Sequence, residues 1–162
     1  MRHTLSVLVE NEPGVLSRVA GLFSGRGFNI ESLNVGPTLD PTVSIMTIVT
    51  EGEELIIEQI VKQLRKIVTV IRVVDLTEMQ AVEREMVLLK VSAEDAKRAE
   101  ILRIVDIFRC KVVDVSVDEM TIEITGDRGK IAALINLLNR FGIKEIARSG
   151  AVSLRRAMQL PA

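Results

Sequence analysis

The order in which hydrophobic periodicity changes along this chain constrains its fold more than any other feature. Thr4 to Glu10 sets Leu5, Val7 and Val9 on one face, the two-residue period of a half-buried strand. Asn11-Glu12-Pro13-Gly14 interrupts that alternation, and Pro13, lacking an N–H, suits the first turn of a helix. From Val15 the period lengthens, so that Val15, Val19, Leu22 and Phe23 share a face with Leu16 and Ala20 beside them. Gly25 and Gly27 end this helix, Gly27 as the left-handed cap. Asn29 to Val35 alternates again and is closed by Gly36-Pro37; Asp40-Pro41 marks a turn, and Val43 to Thr50 is β-branched. Glu53 to Ile67 aligns Ile57, Ile60, Val61 and Leu64, with an acidic start and a basic end that complement the helix dipole. Thr69 to Leu76 completes the order β-α-β-β-α-β.

The same order then repeats. Thr77 to Glu83 is polar and reads as a linker. Arg84 to Val91 is a strand, and Ala93 to Arg109 a helix that aligns Ile101, Ile104, Val105 and Phe108. Lys111 to Val117 and Met120 to Thr125 form a strand pair through Asp118-Glu119. Asp127 is placed to cap a helix bearing Ile131, Leu134, Ile135 and Leu138, Gly142 closes it, and Ile143 to Leu154 supplies the last strand. The predicted fold is therefore α+β, two tandem ferredoxin-like βαββαβ sandwiches, with domains at 1–77 and 78–162.

Composition removes several functions. With 21 basic and 22 acidic side chains the net charge is −1, which offers no electrostatic reason to bind nucleic acid or an anionic membrane. Aromatics are 2% of the chain, all Phe, so the stacking platforms of single-strand binders are nearly absent. Leu5, Val7, Ile45 and Thr47 occupy the strand positions where an RNA-binding sheet would place aromatics. No apolar run is long enough to span a membrane, and the first residues carry no apolar stretch of a signal peptide. With a single cysteine, Cys110, no intramolecular disulfide can form, which suits a cytoplasmic protein.

Catalytic chemistry is equally hard to assemble. One cysteine and one histidine, His3, cannot build a zinc or iron–sulfur site, so no metal site is expected. His3 is expected on the surface and Cys110 as a small half-buried residue. Glu53-Glu54 and Glu94-Asp95 read as helix-start charges rather than acid/base pairs. Gly126-Asp127-Arg128-Gly129-Lys130 lacks the spacing and hydroxyl residue of a phosphate loop and reads as a strand-to-helix turn. Arg155-Arg156 reads as a solvated basic pair. No catalytic residue is assigned.

Two stretches remain unexplained by packing: Asn11-Glu12-Pro13-Gly14-Val15-Leu16 and Arg26-Gly27-Phe28-Asn29-Ile30-Glu31-Ser32-Leu33. The first is a tight strand-to-helix turn. Gly14 permits close approach to the backbone, and the free amides of the helix start can hold a carboxylate. Asn11 and Asn29 each offer a donor and an acceptor, while Val15 and Leu16 can pack an aliphatic group. A second reading stays open on the residues alone: Asn11 caps the helix and Asn29 stabilises a turn.

These stretches, with Gly21-Leu22-Phe23, resemble the ACT domain, an amino-acid-sensing module of biosynthetic enzymes. Adding Asp40-Pro41-Thr42, Val82-Glu83-Arg84-Glu85 and Ala147-Arg148-Ser149-Gly150, the whole chain resembles the small regulatory subunits of acetohydroxyacid (acetolactate) synthase. The resemblance implies a homodimer through the ACT domains, with Asn11, Gly14, Val15, Leu16, Asn29 and Ile30 forming an effector site between protomers for valine. It further implies a catalytic large subunit as partner, carrying thiamine diphosphate, magnesium and FAD, none of them bound by this chain. Gly36 stands just beyond the ligand-facing strand, where the family can carry another small residue.

Overall fold

The two-residue alternation of the first segment becomes β1 (Arg2–Glu10), the strand around which the first sheet is built. In the computed structural model, which describes residues 1–157, β1 is followed by α1 (Val15–Gly25), β2 (Ile30–Pro37), β3 (Val43–Glu51), α2 (Glu54–Arg65) and β4 (Val70–Asp75). The sheet runs β2-β3-β1-β4 and is antiparallel throughout. Along β1 and β3 the register extends unbroken from Arg2↔Glu51 to Glu10↔Val43.

Both helices cover one face, because their apolar stripes and one set of strand side chains form a single core. Leu5, Val7 and Val9 of β1 and Met46 and Ile48 of β3 meet Val15, Val19 and Phe23 of α1 and Ile57, Ile60 and Leu64 of α2. α1 closes where the Phe23 carbonyl accepts from the amides of Arg26 and Phe28, with Gly27 at φ +71° making the left-handed turn.

The second unit repeats this topology with β5 (Ala81–Ser92), α3 (Asp95–Ile107), β6 (Lys111–Val115), β7 (Glu119–Gly126), α4 (Arg128–Leu138) and β8 (Ile143–Arg148). Its sheet order, β6-β7-β5-β8, maps strand for strand onto that of the first unit. Val87, Leu89 and Val91 pack with Ile122, Ile124, Ile101, Ile131 and Leu134. The Asp127 side chain caps α4 by accepting from the Lys130 amide at 2.8 Å. A short 3₁₀ turn, Asn139–Phe141, follows α4 and ends at Gly142, φ +92°.

Three features differ from the sequence reading. The stretch Ile143 to Leu154 is two strands, β8 and β9 (Val152–Arg155), parted at Gly150, whose φ of +82° turns the chain out of the ladder. The described residues group as Met1–Val82 with 151–157, and as Glu83–Gly150. His3 is not a surface residue: it is 3% exposed, and its Nδ1 lies 3.3 Å from Asp75 Oδ2. The alternation that buries Leu5 and Val7 carries one step back to His3, where the Asp75 carboxylate partners Nδ1 while the buried Nε2 has no hydrogen-bond partner.

Candidate functional site

The turn between β1 and α1 owes its shape to Gly14. This residue is the N-cap of α1 at φ +86°, ψ −10°, a left-handed conformation that side chains resist, so Pro13 stays outside the helix. The first intrahelical bond runs from the Arg18 amide to the Gly14 carbonyl at 3.1 Å. The amides of Val15, Leu16 and Ser17 therefore precede the hydrogen-bond ladder and face the turn. α1 has neither a side-chain cap nor an acidic residue in its first turn, so the positive end of its dipole is uncompensated. An anion held there gains both amide hydrogen bonds and dipole stabilisation.

Asn11 plays a part that neither sequence reading foresaw. Its side-chain amide donates to the Pro41 carbonyl at 3.0 Å and its backbone amide to the Thr42 carbonyl at 2.8 Å. It thus ties the turn to the β2–β3 hairpin, and its Oδ1 accepts nothing from α1. The hairpin is itself braced. Thr38 Oγ1 lies 3.0 Å from both the Asp40 and Val43 carbonyl oxygens. Asp40 Oδ1 accepts from the Thr42 amide at 2.9 Å and the Thr42 hydroxyl at 2.7 Å. The Thr42 hydroxyl, and after it the Thr42 amide, hold the Asp40 carboxyl below its usual pKa. On the other side of the turn, the Glu10 amide donates to the Thr69 carbonyl at 2.8 Å, so the α2–β4 connection is fixed to the same end.

Of the two apolar residues assigned to the turn, only one faces outward. Val15 is 3% exposed and belongs to the core, because its helical period aligns it with Val19 and Phe23; it anchors the turn from beneath. Leu16 is 44% exposed.

Asn29 and Ile30 lie at the far end of the sheet. Asn29 is exposed and its carbonyl accepts from Thr50 Oγ1 at 2.7 Å, while Ile30 pairs with Thr50 and packs half-buried on the core. The Asn11 turn adjoins Val43, at the opposite end of β3. Seven residue steps of about 3.3 Å separate Val43 from Thr50, roughly 23 Å. One chain does not bring its six assigned residues together.

The other polar residues singled out in the sequence have structural explanations. Glu53 and Glu94 are N-cap residues of α2 and α3, with Glu54 and Asp95 in the first turns. Cys110 is half-buried, and burial pushes its thiol up in pKa against the opposing pull of Lys130. Among the described residues no three His, Cys, Asp or Glu side chains lie together to hold a metal ion. No helix among them is long and apolar enough to cross a membrane.

Comparison with known proteins adds identity to this geometry. Residues 5–72 match the family model described as AHAS small subunit-like ACT domain, and residues 84–157 match the model for the small subunit of acetolactate synthase. The chain is 53% identical over 156 residues to the probable acetolactate synthase small subunit of Archaeoglobus fulgidus, covering 96% of this chain and 98% of that one. It is 52% identical over 160 residues to the acetolactate synthase small subunit of Aquifex aeolicus, covering 98% and 83% respectively. The crystal structure of the small subunit from Thermotoga maritima superposes with a TM-score of 0.88 at 46% identity, covering 98% of this chain and 99% of that one.

Proposed function

Because this chain belongs to the acetolactate synthase small-subunit family, we propose that it activates a catalytic large subunit and makes it subject to feedback inhibition by valine bound between two ACT domains. The observation that carries this reading is the placement of the assigned residues at opposite ends of one sheet whose outer strand, β2, is a free edge within its unit. Antiparallel pairing of β2 with β2 of a second copy sets the start of one strand beside the end of the other. Asn29 of the partner subunit then lies by the hairpin and the Asn11 turn of this one. Each pairing makes two such sites. In each, the helix-start amides above Gly14 hold the carboxylate of the amino acid, the Asn11 and Asn29 side chains read its polar groups, and Leu16 meets its aliphatic part.

A ligand seated between protomers favours whichever pairing of the ACT domains binds it more tightly. That differential affinity is the means of inhibition. The reaction itself belongs to the large subunit, as do thiamine diphosphate, magnesium and FAD; this chain acts in the cytoplasm as a sensor and activator.

The test is the melting curve of the purified chain with L-valine, L-leucine, L-isoleucine and D-valine. L-valine at a hundred times its dissociation constant stabilises by ~2.7 kcal/mol, a shift of several degrees for units of this size. D-valine leaves the curve unmoved. Equal shifts with both enantiomers, or none with any of them, contradict a stereospecific amino-acid site.

A further inference from the structure

We propose that the second unit holds a closed counterpart of the effector turn, in which Arg98 fills the place that the first unit leaves open to the amino acid, so that each chain carries one effector site. This rests on the effector-site reading above and deepens it by confining amino-acid binding to the first unit.

The two units match bond for bond around this turn. The Asn11 amide donates to the Thr42 carbonyl at 2.8 Å, and the Ala93 amide to the Asp118 carbonyl at 2.8 Å; the two acceptors stand just before β3 and β7. One residue earlier, the Glu10 amide donates to the Thr69 carbonyl and the Ser92 amide to the Gly142 carbonyl, just before β4 and β8. At the far ends of the helices, the Phe28 amide donates to the Phe23 carbonyl and the Cys110 amide to the Val105 carbonyl, both at 2.9 Å. Between these shared bonds the spacing in sequence is the same in both units. Gly14 therefore corresponds to Ala96, Val15 to Lys97 and Leu16 to Arg98.

At those positions the units part. Gly14, in its left-handed conformation, delays α1 to Val15 and leaves the Val15 and Leu16 amides ahead of the ladder. Ala96 is helical, α3 begins at Asp95, and the amides of Lys97 and Arg98 already donate to the Glu94 carbonyl at 2.8 and 3.1 Å. Asp95 also supplies the first-turn acid that α1 lacks. The tie from turn to hairpin differs as well. In the first unit the Asn11 side chain makes it, donating to the Pro41 carbonyl, and Leu16 stays exposed. Ala93 offers no side-chain donor, and Arg98 reaches back from α3 instead. Its Nη2 donates to the carbonyls of Ala93 at 3.0 Å, Ser116 at 2.6 Å and Val117 at 2.7 Å, and its Nε to that of Ala93 at 3.2 Å. A guanidinium bonded to turn and hairpin at once lies across the cleft between them. An amino acid entering there would have to displace these charge-assisted bonds and find amides that are already engaged.

Hydrogen exchange of the full chain with and without L-valine, read by mass spectrometry, tests this, with calorimetric titration to count the sites. Titration should give one L-valine per chain, and L-valine should slow exchange in residues 11–18 while leaving residues 93–100 unchanged. Arg98→Ala should speed exchange of residues 116–119 by at least about tenfold, the loss expected when bonds from a charged donor are removed, and should still bind one L-valine. Arg98→Lys, which keeps the charge without the fork, should fall between. Arg103→Ala, exposed on the same helix, should match the wild type. Two L-valine per chain, or protection of residues 93–100 by L-valine, overturns the proposal. So does wild-type exchange of residues 116–119 in Arg98→Ala. If L-valine neither binds nor protects either turn, the effector reading of the first unit falls and the claim of one site per chain with it; exchange of residues 116–119 then still decides whether Arg98 closes the second turn.

Discussion

Gly14→Asp should leave the chain folded and able to activate the large subunit, yet raise the valine concentration needed for inhibition by about a hundredfold or more. Two effects combine. Gly14 sits at φ +86°, where an added Cβ meets no atom within 4 Å, so the cost is backbone strain rather than a clash; a side chain in this conformation costs about 1–2 kcal/mol. More important, the new carboxylate stands before the amides of Val15, Leu16 and Ser17, where the effector's own carboxylate is to be held. Two like charges about 4 Å apart at a protein surface repel by roughly 4 kcal/mol before salt screening. No core side chain is displaced by the change, so the fold and with it activation survive. Inhibition curves for the reconstituted variant and wild type that superpose would remove the turn from the effector site. Loss of activation together with inhibition would show that sensing and activation are not separable at this turn.

The second large effect is on stability. Phe23→Ala should cost about 3–5 kcal/mol, the range for truncating a fully buried aromatic side chain. Phe23 is 0% exposed, and with Val15 and Val19 it fixes α1 to the sheet. Its carbonyl also closes the helix by accepting from the Arg26 and Phe28 amides. For a unit of some 80 residues this is a large share of total stability, and the midpoint of melting should fall by about 12–40 °C. Calorimetry of the variant against wild type measures it directly, with Leu39→Ala as the exposed control that should shift by very little. A fall of only a degree or two for Phe23→Ala would mean that α1 is not held by this core, and the geometry of the Gly14 turn would lose its foundation.

Most of the architecture was legible because it is written in periods. The alternation of Leu5, Val7 and Val9 and the helical spacing of Ile57, Ile60, Val61 and Leu64 each specify both an element and its buried face, and those faces are the ones that form the core. The same rule, carried one step further, would have placed His3 inward with Leu5; along α1 it did align Val15 with Val19 and Phe23, and that alignment, rather than the ligand contact also assigned to Val15, is what buries it. Ser149-Gly150 was likewise a turn signal inside an apolar stretch, visible in retrospect at Gly150. What periodicity does not carry is which loops share an end of the sheet. The bonds from Asn11 to Pro41 and from Glu10 to Thr69 span 30 and 59 positions, and they exist only because the β1–β3 and β1–β4 registers bring those loops together. The roughly 23 Å between the Asn11 turn and Asn29 follows from the same register. It turns a list of site residues into an argument for two protomers.

Acetolactate formation by the cognate large subunit, measured alone, with this chain, and with this chain plus L-valine, tests the central claim most directly. The account predicts low turnover by the large subunit alone, higher turnover with the chain, a fall on adding L-valine, and no turnover by the chain alone. Turnover that does not respond to the chain, or valine inhibition that is the same without it, would contradict the account.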